Sequence, residues 1–423
     1  MKNTKRVVAL ACTVILAAGV LAGCGKKDDA STTTTGDSKK VTINFWEQDD
    51  ANAQKTLDGL IKDFQDKNPN ITVKRTHYET EDLRKNYTSA SLGTTGPDVV
   101  LGPNDNIGVF VTGSLIQPVD EVIGADALKN YDSKALEAAK YQGKQYMLPD
   151  RNGNELLLMY NKKLVPTAPK TFEELIETSK KLQADKKVQY GLVFNEVEPF
   201  FSIPFLAAFG GSSFDDVNSK TPKPTLNTQA VKDWMTFLLK LKTDGIIPKE
   251  ADGTVADSLF KDGKVAFVIN GPWGFADYQK AGIDFGIMPI PTVNGKSPAP
   301  LSAVKGYTVS ASVKDKDKKD AVKKFLEFVN TKEAQLKMVD AHKQIPTNLE
   351  AMKDDKITKD PLILGQKDAL DKAVPMPIIP QMRAIWDAMK PVQQEVLSGK
   401  TKPEDSAAKM QKTAEDGIKA LGF

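Results

Sequence analysis

Short apolar strands alternate with amphipathic helices from residue 41 onward, and this alternation restricts the possible folds more than any other feature of the sequence. Residues 41–46 have the pattern of a strand, residues 57–64 repeat apolar side chains at helical spacing, and residues 71–78 return to strand alternation. A helix is expected at residues 79–92 and a buried strand at residues 99–101. Such units favour an α/β fold with mostly parallel sheets covered by helices on both faces.

The same alternation continues along the chain. Helices are expected at residues 172–182 and 231–243, strands at residues 190–194 and 265–270, and residues 379–423 are largely helical in pattern. A single hydrophobic core tends to divide beyond about 250 to 300 residues. The sequence therefore predicts two lobes.

An apolar run at residues 7–21 follows three basic residues and leads to the sequence Leu-Ala-Gly-Cys24. The run has the length of a secretory signal and is too short for a membrane-spanning helix. Leu-Ala-Gly-Cys resembles the bacterial lipoprotein signal, in which the cysteine is acylated and becomes the first mature residue. We therefore expect a signal peptide at residues 1–23, a palmitate-type lipid on Cys24, and anchoring at the extracellular face of the cell membrane. The alternative is an ordinary signal with an incidental cysteine.

Residues 25–40 form a polar segment without any large apolar side chain. Such a segment buries too little apolar surface to offset the entropy lost on ordering, so we expect a flexible linker. A flexible chain of this length spans roughly 20 to 25 Å. Residues 24–40 are thus expected to be a lipidated cysteine followed by a tether.

The charge balance excludes some classes of partner. Of the 58 Lys and Arg residues, three precede Cys24, which leaves 55 against 55 Asp and Glu residues. A neutral chain offers no strongly basic surface to nucleic acid or anionic lipid. Cys12 lies in the expected signal and Cys24 is expected to be acylated, so we expect no disulfide within the mature chain.

The sequence carries no recognisable catalytic or cofactor motif. Its 2 histidines, His77 and His342, have no metal-ligand spacing. It contains no Gly-Lys-Ser/Thr phosphate loop, no dinucleotide Gly-x-Gly-x-x-Gly and no Gly-x-Ser-x-Gly elbow. We therefore expect no catalytic residue, no metal and no cofactor. An extracellular glycoside hydrolase remains an alternative, because that chemistry needs only two carboxylates.

Five groups of short motifs follow one another along the chain. They are Gly96-Pro97-Asp98 with Asp105, Tyr141-Gln142-Gly143-Lys144 with Met159-Tyr160-Asn161-Lys162, Glu198-Pro199-Phe200-Phe201, Asn270-Gly271-Pro272-Trp273, and Ile379-Pro380-Gln381-Met382 with Trp386. In this order, and over nearly the whole mature chain, they resemble the maltose/maltodextrin-binding family of extracellular solute-binding proteins. The resemblance implies a periplasmic-binding-protein-like fold, in which two lobes are joined by hinge crossings.

The resemblance also implies where the lobes begin and end. Crossings between the lobes are expected near residues 149–155, 287–292 and 343–348. The N-terminal lobe would then comprise residues 41–150 and 293–345, and the C-terminal lobe residues 151–292 and 346–423.

The candidate ligand-binding residues follow from the matched motifs and from the chemistry of sugars. A sugar presents flat C–H patches and a rim of hydroxyl groups, so its site needs aromatic rings and hydrogen-bonding side chains. In open α/β sheets ligands bind at strand ends and the adjoining turns. The candidates are Trp46, Glu47, Gln48, Asp105, Asn154, Glu198, Pro199, Phe200, Trp273, Met382, Trp386 and Lys390.

Several candidates have a structural alternative. Trp273 could be a turn residue packed on the core, and Trp386 could belong to the core face of a helix. Glu198 and Asp105 could each cap a helix, where acidic side chains are favourable. The position that matches a family glutamate falls on Asn154 or, with a shift of one residue, on the next position.

The chain departs from the family pattern at Trp46-Glu47-Gln48 and at Asp105-Asn106, which leaves the identity of the sugar open. The resemblance implies a monomeric, membrane-tethered receptor that captures maltodextrin or a related oligosaccharide by lobe closure. It would deliver the sugar to the membrane permease subunits of an ABC importer. The alternatives are the glycoside hydrolase and an ABC receptor for iron, phosphate or a polyamine, and no nucleic-acid partner is expected.

Overall fold

A computed structural model of the chain describes residues 39–423, apart from Leu92 and Thr94. The expected signal peptide, Cys24 and most of the linker lie outside the described residues. The strands are β1 (Val41–Glu47), β2 (Ile71–His77), β3 (Val99–Pro103), β4 (Ile116–Gln117), β5 (Lys140–Tyr141), β6 (Lys144–Gln145), β7 (Met147–Asn152), β8 (Leu157–Asn161), β9 (Tyr190–Val193), β10 (Val265–Asn270), β11 (Phe285–Met288), β12 (Leu301–Ser302), β13 (Val304–Ser310), β14 (Ile345–Pro346) and β15 (Val374–Pro375).

The helices cover much of the remaining chain. They are α1 (Ala51–Lys67), α2 (Thr80–Ser91), α3 (Asn106–Thr112), α4 (Asp120–Ile123), α5 (Ser133–Ala138), α6 (Phe172–Ala184), α7 (Ile203–Ala208), α8 (Gln229–Thr243), α9 (Gly253–Lys261), α10 (Phe275–Lys280), α11 (Lys316–Val329), α12 (Lys332–His342), α13 (Leu349–Met352), α14 (Asp355–Thr358), α15 (Pro361–Leu370), α16 (Met382–Leu397) and α17 (Pro403–Ala420). Short 3-10 helices occupy Ala125–Asn130, Pro199–Phe201 and Pro272–Gly274.

Side-chain caps determine where many of these helices begin. The carboxylate of Asp50 accepts hydrogen bonds from the backbone N–H groups of Asn52 and Ala53 at the start of α1. Thr171 and Thr228 cap α6 and α8 in the same way. Such caps satisfy N–H groups that have no partner within the helix. The helices predicted in these two regions are therefore confirmed, and polar residues set their first turns.

The first lobe is built on a seven-stranded sheet with the order β14-β7-β13-β3-β1-β2, in which β4 also pairs with β13. Strand β1 pairs in parallel with both β2 and β3. Strand β13 pairs antiparallel with β3, β4 and β7, and β14 pairs antiparallel with β7. The strand pairs at the β2 edge of this sheet are therefore parallel, and those toward the β14 edge are antiparallel.

The second lobe contains a four-stranded sheet with the order β11-β8-β10-β9. Strands β9 and β10 are parallel, whereas β8 runs antiparallel to both β10 and β11. The expectation of a two-lobe α/β fold is confirmed, but the sheets are mixed rather than mostly parallel. A chain that leaves a lobe along one strand must return along another, so β7 and β13 lie side by side in opposite directions.

Hydrophobic cores cover both faces of each sheet. In β1, Phe45 packs into a core shared with α1, α11 and α12, while Trp46 faces the core beneath α2 and α3. In β8, Leu158 and Met159 divide in the same way between two cores of the second lobe. Successive strand residues point to opposite faces, so each sheet is a middle layer between helices. Trp234 of α8 is fully buried in the core of the second lobe.

Strand pairing and core packing show which residues adjoin each lobe near the expected boundaries at residues 150, 292 and 345. Strand β7 continues in the first sheet through Asn152, so the first crossing precedes β8. Residues Val293 and Ala303 still pack in a core of the second lobe, and the chain enters β13 directly afterwards. The strand β14 pairs with β7, and Asn348 still bridges to Tyr131 of the first lobe. Each crossing therefore follows a residue held by strand pairing or core packing.

A buried charge cluster lies where the crossing strands meet the end of β1. Asp49, which follows β1, forms ion pairs with Arg151 of β7 and with Lys305 of β13, whose Nζ lies 2.8 Å from Asp49 Oδ1. Arg151 Nη1 also lies 2.6 Å from Asp150 Oδ2. Burial disfavours the charged form of Asp49, but Arg151 and Lys305 outweigh it and lower the pKa of Asp49. The cluster fixes both crossing strands to the end of β1.

Candidate functional site

The two lobes contact each other directly in this structure. Gly108 of α3 lies against the backbone of residues 378–380, and a Cβ on Gly108 would lie 2.2 Å from the carbonyl oxygen of Ile378. Only a glycine permits this approach of the two backbones. Asn52, at the start of α1, donates a hydrogen bond of 2.6 Å to Asp277 of α10. The cleft between the lobes is therefore narrow, and its lining can be read from these contacts.

Asp105 connects the two lobes at the end of β3. Its side chain makes no hydrogen bond to the backbone N–H groups of α3, so Asp105 does not act as a side-chain cap of that helix. Arg84 of α2 approaches it, with Nη1 3.8 Å from Asp105 Oδ2. Burial raises the pKa of Asp105, and Arg84 and the Trp386 side chain oppose that rise. Asp105 from the first lobe and Trp386 from the second therefore meet in the cleft.

Glu198 and Lys390 form an ion pair within the second lobe. Glu198 precedes the 3-10 helix Pro199–Phe201 without capping it, and Lys390 lies on α16. Burial raises the pKa of Glu198, and the contact with Lys390 opposes this change. The charges of Glu81 and Arg84 on the first lobe also act on this carboxyl. The ion pair therefore faces the first lobe across the cleft.

Aromatic rings of the second lobe form a group next to Glu198 in the chain. The ring centroids of Phe201 and Trp273 are 6.4 Å apart with an interplanar angle of 89°, and those of Phe200 and Phe201 are 5.6 Å apart at 85°. All three rings pack against the core of the lobe and stay partly exposed. Edge-to-face packing of this kind is favourable and holds rings in place. Trp273 therefore packs on the core and also keeps part of its ring exposed. It is compatible both with a packing role and with a role in ligand contact.

The first lobe contributes a second aromatic pair. Trp46 of β1 packs on Tyr78, which follows β2, with ring centroids 4.7 Å apart and an interplanar angle of 55°. Both rings are partly exposed. Gln48 follows β1, and its Oε1 is buried without a hydrogen-bond partner among the described residues. The ends of β1 and β2 thus offer aromatic surface and a hydrogen-bond acceptor together.

Several buried polar atoms around α3 have no partner within the described part of the protein. They are Oε1 of Gln48, Nε of Arg84, Oδ1 of Asp105, Oδ1 of Asn106 and Oε1 of Gln381. Gln48 and Asn106 come together near Gly102, where a Cβ would lie 3.8 Å from Gln48 Oε1 and 3.4 Å from Asn106 Nδ2. Each unmet buried hydrogen bond costs about 1 to 3 kcal/mol. A ligand rich in hydroxyl groups would satisfy several of these atoms at once.

The structure places three candidates behind the surface of the cleft. Glu47 is 0% exposed, and its carboxylate accepts hydrogen bonds from Arg75 at 2.5 Å and from the N–H of Asp49 at 2.6 Å. Met382 and Pro199 are buried against the core of the second lobe. Glu47 therefore joins the ends of β1 and β2 and has no oxygen left for a ligand. The sequence could not reveal this, because Arg75 belongs to a different strand.

Trp386 combines features of a core residue and of a residue that lines the cleft. Its side chain packs in the core of the second lobe and is only 9% exposed, as expected of a residue on the core face of α16. The Trp386 side chain nevertheless lies near enough to Asp105 to oppose the rise in the pKa of that carboxyl.

Asn154 and Glu155 lie at the first crossing and differ in exposure. Asn154 is partly exposed, and its backbone N–H donates to the carbonyl oxygen of Ala303 at 3.3 Å. Glu155 is 0% exposed, and neither carboxylate oxygen has a hydrogen-bond partner among the residues described. Burial raises the pKa of Glu155 to about 8. Asn154 is therefore the residue of the two that can reach a ligand.

Sequence reasoning missed four charged residues that line the same cleft. Glu81 and Arg84 lie on α2, and Arg383 and Asp387 lie on α16. The i,i+3 and i,i+4 spacings of these pairs are visible in the sequence, but exposed helices commonly carry such pairs. The informative contact is Arg383 Nη1 with Glu81 Oε2 at 2.8 Å, which joins positions separated by 302 residues. Such a long-range contact is not encoded in any local pattern.

No group of three or more His, Cys, Asp or Glu side chains could hold a metal ion within the described part of the chain. His342 is buried, and burial together with Arg151 lowers its pKa well below the usual value, so the imidazole is neutral. Its Nδ1 accepts the N–H of Gln344 at 2.9 Å. Across residues 39–423 as described, none of the helices combines the length and apolarity needed to span a bilayer.

Comparison with known proteins defines the class. Residues 59–365 match the model of the bacterial extracellular solute-binding protein family. A maltotriose-binding protein of Pyrococcus abyssi is 30% identical over 91% of this chain and 83% of that protein. A galactooligosaccharide-binding protein of Bacillus subtilis is 28% identical over 95% of this chain and 94% of that protein. A maltooligosaccharide ABC transporter solute-binding lipoprotein of Streptococcus pneumoniae is 27% identical over 93% of each chain.

A solved structure agrees with these relatives. The maltose/maltodextrin-binding domain from Bdellovibrio bacteriovorus, bound to maltotriose, superposes with a TM-score of 0.84 at 40% sequence identity, and the match covers 89% of this chain and 100% of that domain. The chain therefore belongs to the bacterial extracellular solute-binding protein family. The resemblance inferred from the motifs is confirmed, and the chain is a binding protein rather than an enzyme.

The buried carboxyl of Glu155 leads to a prediction about pH. Its pKa is raised in the folded state, so the folded protein holds a proton there that the unfolded chain releases between pH 4.5 and about 8. The contribution of Glu155 to the free energy of unfolding therefore falls as the pH rises through this window. Glu155→Gln has the shape of the neutral carboxyl but does not titrate. The free energy of unfolding of the variant minus that of wild type should therefore increase by on the order of 1 to 4 kcal/mol between pH 5 and pH 8.

Urea unfolding of both proteins at pH 5 and pH 8 measures this difference. Other groups titrate equally in the two proteins and cancel. Equal dependence of the unfolding free energy on pH in wild type and Glu155→Gln would contradict the assignment.

Proposed function

We propose that this protein captures a maltodextrin such as maltotriose, or a related oligosaccharide, outside the cell and delivers it to an ABC importer. One observation carries the proposal: buried polar atoms without a partner among the described residues, and partly exposed aromatic rings, are both found where the two lobes meet. The names of the relatives and the maltotriose-bound structural neighbour support the same ligand class.

The chemistry of the cleft suits a sugar. Trp273, Phe200 and Phe201 on one lobe and Trp46 on the other would stack against flat C–H patches of sugar rings. Gln48, Asp105, Asn154, Glu198 and Lys390 would bind hydroxyl groups around the rim of each ring. A hydroxyl both donates and accepts, so it can satisfy an unpaired carboxylate oxygen and an unpaired guanidinium N–H alike.

The charge of the cleft supports a neutral ligand. The acids Glu81, Asp105, Glu198 and Asp387 are accompanied by the bases Arg84, Arg383 and Lys390. Burial raises the pKa of Asp105, Glu198 and Asp387, which reduces the negative charge. A polyamine site would need a clear excess of acids, and a phosphate site an excess of bases. The near balance favours a solute that presents hydroxyls rather than ions.

Capture would work by closure of the lobes around the ligand. Hinge motion at the crossings would open the cleft, and a sugar that touches both lobes would stabilise the closed form through its additional contacts there. Shifting a population from 1:99 to 99:1 takes about 5.5 kcal/mol of differential binding. Several stacked rings and newly satisfied buried hydrogen bonds supply energy on this scale. The closed form would then be the state recognised by the permease subunits of the importer.

The tether is a separate part of the proposal. Cys24 would carry a lipid and hold the protein at the extracellular face of the membrane, with residues 25–40 as a flexible linker. The naming of the Streptococcus pneumoniae relative as a lipoprotein supports this assignment. One chain supplies both lobes of the cleft, so we propose that the protein acts as a monomer.

A ligand screen tests the function. Binding to the folded state alone raises the melting temperature, so maltotriose should raise it while spermidine and phosphate leave it unchanged. A galactooligosaccharide belongs in the same screen, because one relative is named for that ligand. Chromatography of the maltotriose after incubation should show no cleavage. A shift with spermidine or phosphate alone would refute the carbohydrate proposal, and a shift with the galactooligosaccharide alone would refute the maltodextrin assignment.

The contribution of the aromatic group can be measured directly. Trp273→Ala should weaken maltotriose binding by about 1 to 3 kcal/mol, roughly 5- to 150-fold in Kd, because a stacking surface is lost. Isothermal titration calorimetry gives this value. Phe328→Ala is the matched control, since this partly buried ring packs on Phe64 in the first lobe, away from the cleft residues. Equal affinities of Trp273→Ala and the control would show that Trp273 is a packing residue only.

The lipid anchor predicts a change of location. Cys24→Ser removes the thiol that would be acylated, so the variant should move from the membrane fraction into the medium or the soluble fraction. Fractionation and immunoblotting of producing cells measures the distribution. Retention of Cys24→Ser in the membrane fraction to the same extent as wild type would rule out Cys24 as the anchor.

A further inference from the structure

One carboxylate joins the two lobes away from the crossings. Glu81 of α2 is contacted by Arg84 of its own helix and by Arg383 of α16, whose Nη1 lies 2.8 Å from Glu81 Oε2. The other end of the Arg383 guanidinium contacts Asp387, with Nη2 2.5 Å from Oδ1. Arg383 is therefore held by its own helix while it reaches the opposite lobe.

The burial of this group sets it apart from ordinary surface ion pairs. The side chains of Glu81, Arg84 and Arg383 are 25%, 6% and 16% exposed. The pair of Lys62 and Asp66 on α1, by comparison, is 74% and 62% exposed. Exposed pairs contribute little because water and salt screen them, whereas partly buried pairs are screened less. The side chains of Glu81 and Arg383 are thus buried enough for their ion pair to affect the equilibrium between open and closed lobes.

The position of the group links it to lobe closure. Helix α2 belongs to the first lobe and α16 to the second, and neither helix contains a crossing. Any hinge motion that separates the lobes moves these helices apart and breaks the contact between Glu81 and Arg383. We therefore expect the contact between Glu81 and Arg383 to form when the lobes close, and opening would leave Arg383 with Asp387 alone.

Glu81 and Arg383 adjoin the candidate sugar residues without being among them, whereas the unpartnered Nε of Arg84 is one of the atoms that a sugar hydroxyl would satisfy. Arg84 lies 3.8 Å from Asp105, and Arg383 precedes Trp386 by three residues on the same helix. Closure thus brings the ion pair together at the same time as it brings Asp105 to Trp386. The two events share the same lobe movement.

We propose that Glu81 and Arg383 form an interlobe latch that holds the cleft closed over the bound oligosaccharide and slows its release. The proposal rests on the proposed function for the identity of the ligand, but the latch itself is a property of the two lobes. Glu81 and Arg383 are positioning residues here, because they act on the ligand through the arrangement of the lobes.

The latch predicts a specific kinetic change. Arg383→Gln removes the interlobe pair and leaves Glu81 with Arg84, so the dissociation rate of the sugar should rise roughly five- to twentyfold with little change in the association rate. The factor should be the same for maltose, maltotriose and maltotetraose, because the latch does not touch the glycan. A residue that binds one sugar ring directly would instead give a factor that depends on glycan length.

Stopped-flow fluorescence with these three sugars measures both rates. Glu81→Gln should raise the dissociation rate as well. The double variant Glu81→Gln/Arg383→Gln should dissociate no faster than the faster of the two single variants, because both changes remove the same interaction. Asp66→Asn, which breaks the exposed pair on α1, is the matched control and should leave the rates unchanged. Wild-type affinity should fall with added salt more than that of Arg383→Gln. Unchanged dissociation, or a loss that varies with glycan length, overturns the latch.

A measurement without any sugar separates this proposal from the proposed function. Small-angle X-ray scattering of the purified protein at low salt should give a larger radius of gyration for Arg383→Gln than for wild type and for Asp66→Asn. Identical scattering of the three proteins would refute the latch even if sugars bind. Failure of every sugar to bind wild-type protein would refute the proposed function, and the scattering comparison would still test the latch.

Discussion

The buried carboxylate of Asp49 is the interaction on which the two-lobe arrangement depends. It receives Arg151 from the outgoing strand β7 and Lys305 from the returning strand β13, directly where β1 ends. A buried carboxylate is costly unless cations and hydrogen bonds compensate it, so the three segments are held in one geometry. The same loop supplies Asp50, the cap of α1, and Asn52, which reaches Asp277 in the other lobe. The crossing strands β7 and β13 are thus held together at the end of β1, while each wall of the cleft belongs to a different lobe.

The cleft uses burial differently from this cluster. Around Asp49 each charged side chain contacts an opposite charge, although Asp49 Oδ2, Asp150 Oδ1 and Arg151 Nε have no hydrogen-bond partner among the described residues. Around α3 the unpartnered atoms include the neutral amide oxygens of Gln48, Asn106 and Gln381. Paired charges make a stable base, and unpaired polar atoms make a surface that gains from binding hydroxyl groups. The aromatic group at Phe201 and Trp273 rests on the core of the second lobe, so its geometry is set before any ligand arrives. Preorganisation of this kind reduces the entropy lost on binding.

Much of the fold followed from local sequence patterns. The strands and helices at β1, α1, β2 and α8 are set by alternation, helical spacing and caps, which are all local. The direction of the crossing strands could not be predicted in this way, because it depends on the return of the chain from the other lobe. The same limit applies to the crossing positions, which are set by pairing between β7 and β14 and by core packing of Ala303.

The site was predictable to the extent that a motif places residues at the end of a strand or in a turn. Asp105 and Trp273 were proposed in this way, and their roles as ligand contacts stay predictions. The burial of Glu47 could not be predicted because its partner Arg75 lies on the neighbouring strand, and the position of Glu81 was missed because its partner Arg383 lies 302 residues away. Pairing across the sheet or across the cleft decides which charged residues are free to bind, and no local pattern records it.

A crystal structure of the protein grown with maltotriose tests the central claim most directly. The account predicts glycan density between the lobes, with a sugar ring against Trp273 and hydroxyl groups within hydrogen-bond distance of Gln48 Oε1 and Asp105 Oδ1. A glycan bound outside the cleft, or a cleft without glycan at saturating maltotriose, would contradict it.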